Sequence, residues 1–190
     1  MDLDGSQIWP IRKSSGGRRA RCSFILGQHR EAQLSLSQEV ISIQEEEKAY
    51  CKDTLVARAA DKMVDKPWML CDTSKGFDCL NFLLFFYEDM GFVFPDQFEG
   101  VTRKTYAELW KSDNQRAKEI MKRFLFSVGD EINPHYMLRG DLLIFEGKEF
   151  GSFPGIYLGN GNVQITFDVG VQVLPLRFLR SYLIGVRRLI

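Results

Sequence analysis

The apolar positions of the chain change their spacing along its length, and each change marks a different kind of element. Leu55, Val56, Ala59, Ala60 and Met63 recur three and four residues apart, which predicts an amphipathic helix ending before Pro67. In GFDCLNFLLFFYEDMG, from Gly76 to Gly91, nearly every position from Leu80 to Phe86 is apolar, so this stretch predicts a helix buried on most sides. Asp78 suits its N-cap and Gly91 its stop. Residues 104–127 predict one or two further helices, carried by Tyr106, Leu109 and Trp110 and then by Ile120, Met121, Phe124 and Leu125. After Gly140 the runs become short and β-rich: DLLIFEG, PGIYLGNG, NVQITFD, VQVLPL and SYLIGVRRL, parted by Gly, Asn, Asp and Pro. GNGN, from Gly159 to Asn162, predicts a hairpin turn. Helices followed by antiparallel strands give an α+β fold, with the cysteine-bearing helix packed on a C-terminal sheet. Leu143, Ile156 or Tyr157, and Ile165 are the sheet positions expected against that helix.

The first 47 residues have no such pattern. SSGGRRAR is flexible and basic, and the apolar islands are Ile8-Trp9 and Phe24-Ile25-Leu26, so 1–47 reads as a disordered or loosely attached tail. Order is expected from about Lys52, which leaves one domain over 52–190, and 45% hydrophobic content suffices for one core. The formal charge is zero, with six basic and two acidic residues in the first 30 and 19 against 23 thereafter. That field is too weak to predict nucleic-acid binding. No apolar run is long enough to span a membrane, and no hydrophobic leader follows Arg12 and Lys13, so synthesis in the cytoplasm is expected.

Cysteines stand at 22, 51, 71 and 79, with no C-x-x-C pair, and are expected as free thiols. Asp61, Asp65 and Asp72 lack the repeated oxygen spacing of a calcium site, and no Gly-rich loop has a phosphate-binding context. Neither metal nor cofactor is expected. Cys79 is the one residue with a chemical setting, because the first turn of a helix favours a thiolate. Taken alone, that position fits a nucleophile and a structural core cysteine equally well.

Pro67-Trp68, Gly76-Phe77-Asp78-Cys79, Gly140-Asp141-Leu142 and Gly155 to Gly161 (GIYLGNG) come in a characteristic order. Together they make residues 52–190 resemble the NlpC-type (p-sixty) cell-wall peptidases, cysteine hydrolases of papain-like fold. MGFVFPD, from Met90 to Asp96, is most similar to the branch found in phage tails. The resemblance implies a papain-like α+β domain, Cys79 as nucleophile, a peptidoglycan or other peptide ligand, and incorporation in a phage-like particle with protein partners.

The same resemblance implies a damaged apparatus. The family histidine, which takes the thiol proton and returns it to the leaving amine, falls at Phe153. The third polar position falls at Ile165; a slip of one residue reaches Gln164, which strand alternation aims at the other face. The family tyrosine falls at Trp68, and Leu80 and Asn81 replace the small residues after the cysteine. His135, in NPHYMLRGD, is a surface-loop histidine by context and the one substitute base outside the tail, where His29 lies. Two functions follow: a binding or structural module that has lost turnover, or an active thiol hydrolase of peptidoglycan peptides.

Overall fold

The computed structural model describes residues 51–70 and 75–189. The expectation for residues 1–47 therefore lies outside the described residues. Helix α1, through 51–61, is followed by α2 (Cys79–Asp89), a short hairpin β1 (Gln97–Phe98) and β2 (Val101–Thr102), α3 (Arg103–Ser112) and α4 (Asn114–Ser127). Then come β3 (Asp130–Glu131), β4 (Leu142–Gly147), β5 (Gly151–Gly159), β6 (Asn162–Phe167), β7 (Gly170–Pro175) and β8 (Leu183–Arg188). The larger sheet is antiparallel in the order β3-β8-β4-β5-β6-β7. Helices followed by an antiparallel sheet make the α+β fold that the spacing predicts. The β5–β6 turn uses Asn160 at φ 51° and Gly161 at φ 71°, a pair of positive values that matches strand twist.

Both ends of α2 are set by local chemistry. Asp78 is extended at φ −83° and ψ 176°, and its carboxylate accepts from the Asn81 amide at 2.8 Å and the Asn81 side chain at 2.9 Å. At the other end Gly91 turns left-handed at φ 90°. Its N–H donates to the Glu88 carbonyl and that of Phe92 to the Tyr87 carbonyl, both at 2.9 Å. That is a Schellman closure, and Phe92 packs edge-on against Tyr87 at 5.7 Å, as such closures favour. Between the caps Phe82, Leu83, Phe86 and Tyr87 are fully buried.

The sheet buries both of its faces. Leu142, Ile144 and Ile156 join the helical core with α2, whereas Leu143, Phe145, Phe153, Val163 and Ile165 form a second cluster with Leu176, Leu179 and Val186. The expected contact surface for the cysteine helix is therefore corrected. Ile156 belongs to it, but Leu143, Tyr157 and Ile165 lie on the opposite face, because side chains alternate at a period of two. Two short 3₁₀ turns, Leu176–Phe178 and Arg180–Tyr182, cover that face. This second layer explains why LLIF in β4 is apolar at every position.

Close packing on the second face requires Gly155. A Cβ there would lie 2.8 Å from both Ile165 Cγ2 and Phe145 Cε2. Gly155→Ala is expected to cost about 1–3 kcal/mol, because ring and branched carbon must both move. Urea melts of the variant and the parent check it, and a loss under about 0.5 kcal/mol would show the face to be loosely packed.

The Gly140-Asp141 motif anchors β4 to the rest of the chain. The Tyr87 hydroxyl donates to the Gly140 carbonyl at 2.9 Å. Asp141, fully buried, accepts from Arg188 Nε at 2.8 Å and Nη2 at 2.7 Å, and from the Leu138 amide at 2.7 Å. One carboxylate thus ties the loop before β4 to the end of β8.

Candidate active site

A cleft of about 380 Å³ opens at the N-terminus of α2. Among the described residues it is lined by Cys79 and Asp78 from that terminus, Trp68 from the preceding loop, Trp110 from α3, Lys118 from α4, and Ser152, Phe153 and Phe167 from the sheet. Sequence reasoning named Cys79, Asp78, Trp68 and Phe153, and the structure brings these four to one place. It missed Trp110, Phe150, Ser152 and Phe167, whose approach is set by tertiary packing.

The β5–β6 ladder ends at the sheet wall of the cleft. Pro154 sits in β5 without an N–H to give, and the β5–β6 ladder begins only at Gly155, paired with Ile165. Beyond that point β5 pairs with β4 alone, and Phe153 and Phe167 pack ring against ring on the cleft wall with centroids 5.8 Å apart. Phe153 also stacks on Phe145 at 5.4 Å with the planes 23° apart, and it is only 7% exposed. Proline inside an otherwise central strand was the readable signal that the ladder ends here.

Each remaining sequence candidate has a definite place. Gln164 is fully buried on the face toward α1 and donates to the Ala60 carbonyl at 2.9 Å, so it is turned away from Phe153. Ile165 shares the Phe153 face but brings no polar atom. His135 is exposed in a short 3₁₀ turn, Pro134–Tyr136, capped by Asn133, and does not line the cleft. Trp68 is half-buried on the cleft wall.

Electrostatics then decide the state of Cys79. The residue is half-buried and packs against both apolar clusters. Burial, followed by the neighbouring Asp78 carboxylate, pushes its thiol up to about 12; a backbone hydrogen bond opposes them weakly. A helix terminus is worth about 0.3–1 kcal/mol, under one pKa unit, and cannot reverse a shift of that size. At pH 7.5 only about one such thiol in 10⁴–10⁵ is ionised. The fold supplies a thiol at the mouth of a helix, and no histidine is among the described residues that line the cleft.

A stability consequence follows, with a fixed sign. The folded thiol holds its proton above the pH at which an unfolded cysteine, near 9, has lost it. Stability is therefore intact below about pH 9 and declines as pH rises toward about 12. The full separation corresponds to about 4 kcal/mol, an upper bound because Cys79 keeps some exposed surface. Cys79→Ala should flatten the alkaline limb of the stability profile in that window relative to the parent. Superimposable profiles would place the thiol in a polar setting.

Among the described residues no group of three or more His, Cys, Asp or Glu is arranged to hold a metal ion. No helix among them is long and apolar enough to cross a membrane.

The fold and site can be set beside known proteins. No curated protein matches the chain in sequence. Among solved structures, an NlpC/P60 family protein from Bacillus cereus is 21% identical with a TM-score of 0.49, over 72% of this chain and 40% of that one. The peptidoglycan hydrolase RipB from Mycobacterium tuberculosis is 23% identical with a TM-score of 0.48, over 75% of this chain and 66% of its own. The P60 domain of an antigen from M. avium paratuberculosis is 21% identical with a TM-score of 0.48, over 79% of this chain and 99% of that domain. This chain thus spans less than two thirds of the length of the first two proteins. The family pattern itself matches residues 65–188, which takes in Trp68, Cys79, Phe153 and the whole of the larger sheet. The chain belongs to the NlpC/P60 family.

Proposed function

We propose that this chain is an NlpC/P60 domain that binds a peptide in its cleft without hydrolysing it. The observation that carries this reading is Phe153, a buried ring on the cleft wall at the position where the family resemblance expects the general base. Thiol hydrolysis needs a group that removes the Cys79 proton and later protonates the leaving amine. Phe153 can do neither, and a thiol held near 12 does not ionise unaided. The assignment of peptide as ligand rests on family membership, and peptidoglycan peptides are its first candidates because RipB is a peptidoglycan hydrolase. The stretch MGFVFPD, similar to the phage-tail branch, supports a structural place in a phage-like tail.

The competing reading, an active peptidoglycan endopeptidase, is favoured by the survival of Cys79 at N1 of α2 with Asp78 as its cap. Incubation with soluble cell-wall peptides separates the two. The proposal expects no new amino termini beyond those released by Cys79→Ala. Cleavage by the parent that Cys79→Ala abolishes would establish the hydrolase.

A further inference from the structure

Beyond the loss of turnover, the walls of the cleft specify what it holds. Trp68, Trp110, Tyr106, Phe150, Phe153 and Phe167 surround a space of about 380 Å³, within the range of small-ligand sites. Aromatic walls favour another ring, through edge-to-face and offset contacts worth more than the buried area alone. Among these walls sits one unsatisfied polar group. Ser152 is 6% exposed, lines the cleft, and its hydroxyl has no hydrogen-bond partner. A buried hydroxyl left unpaired is costly, and a ligand atom that pairs with it would remove that cost.

Charge narrows the choice. Lys118 lines the cleft, but its ammonium donates to the Glu149 carbonyl at 2.6 Å, across to the β4–β5 turn. Glu149 and Asp168 are exposed at the rim, and Asp78 is occupied in capping α2. Among the described residues the interior thus offers rings and neutral polar groups, Ser152 and Asn114, with no free counter-ion. Phe150, Phe153 and Phe167 also line a second cavity of about 540 Å³, next to Leu179 and Tyr182. A ligand seated in the first cavity therefore has an apolar path onward for the chain that carries it.

We infer that the cleft is a recognition site for an uncharged aromatic side chain of a peptide, with one neutral hydrogen-bonding atom directed at Ser152. The inference rests on the reading of the cleft as a peptide site and adds the class of side chain it selects. A phenyl ring, a naphthyl ring system and a single N–H suit the aromatic walls and the hydroxyl, so N-phenyl-1-naphthylamine serves as a neutral fluorescent probe.

The test titrates the full chain with this probe and then competes it with N-acetyl amides of single amino acids. Saturable 1:1 binding is expected, displaced by N-acetyltryptophanamide and not by the lysine or glutamate amides at the same concentration. Phe150→Ala, at a position 65% exposed where folding is not at risk, should weaken the probe about tenfold. Ser152→Ala should weaken it about three- to tenfold. Tyr136→Ala, at a residue 72% exposed and off the cleft, should change nothing. Displacement by the lysine amide as strong as by the tryptophan amide would overturn the inference in favour of a cation site. So would non-saturable binding, or equal binding by the Phe150 and Ser152 variants and the parent. Because hydrolysis is scored separately with cell-wall peptides, failure here would leave the loss of turnover standing, and cleavage there would leave ring recognition standing.

Discussion

Phe153→His is expected to raise the rate of Cys79 alkylation at pH 7.5 by about 10²-fold or more, while hydrolysis stays near the limit of detection. The gain follows from the present state of the thiol, held near 12 by burial and by Asp78 in a cleft whose lysine, Lys118, donates to the Glu149 carbonyl. An imidazolium on the Phe153 wall would favour the thiolate, as in other His-paired cysteines, and the ionised fraction sets the rate of alkylation. Hydrolysis asks for more. The imidazole must be oriented by a polar neighbour, and Ile165, two positions along the same face, offers none. Trp68 also replaces the hydroxyl that the family resemblance places beside the thiol. An unoriented base forfeits much of the usual 10²–10⁴-fold contribution of acid–base catalysis. Iodoacetamide kinetics followed by peptide mapping read the first effect, and amine release from cell-wall peptides reads the second. An unchanged alkylation rate in a folded variant would show that position 153 does not face the sulfur.

Asp141→Ala is expected to produce a large loss of stability for a substitution outside the apolar core. The carboxylate is fully buried and accepts three hydrogen bonds, two of them from Arg188. Removing one partner of a buried ion pair costs about 3–5 kcal/mol, because the other is left without compensation. The Arg188 side chain keeps 26% exposure and can recover some hydration, so the lower end, about 3 kcal/mol, is expected. For a domain of this size that lowers Tm by about 10 °C. Arg188→Ala should cost at least as much, since it leaves a fully buried carboxylate with the Leu138 amide in place of three donors. Thermal melts of both variants check this, and an Arg188→Ala variant as stable as the parent would show that the carboxylate does not depend on the guanidinium.

What the sequence made legible was local. The caps of α2 could be read because Asp78 and Gly91 act within a few residues of themselves, and the β5–β6 turn because Asn160-Gly161 needs no distant partner. The strands after Gly140 announced themselves by β-branched runs between turn residues. The second face of the sheet did not, since the segment 176–182 that covers it has no periodicity of its own. Assigning Leu143 and Ile165 to the helix side failed for the same reason, as a sheet buried on both faces hides which parity points where. The β1–β2 hairpin and β3, each two residues long, were below the length at which alternation can be read. Cys79 and Phe153 were found by motif order. Trp110 and Phe150 were not, because their place on the cleft depends on how α3 and the β4–β5 turn pack against α2, a long-range outcome.

The rate of alkylation of Cys79 by iodoacetamide as a function of pH, in the unmodified full chain, bears most directly on the proposed loss of turnover. Exposed Cys51 serves as the internal reference in the same peptide map. With a thiol held near 12, the Cys79 rate should still be climbing at pH 9.5 and should lie well below that of Cys51 throughout. A Cys79 rate that reaches its plateau by pH 7 would mean a thiolate already stabilised by a neighbouring cation, and would contradict an inactive site.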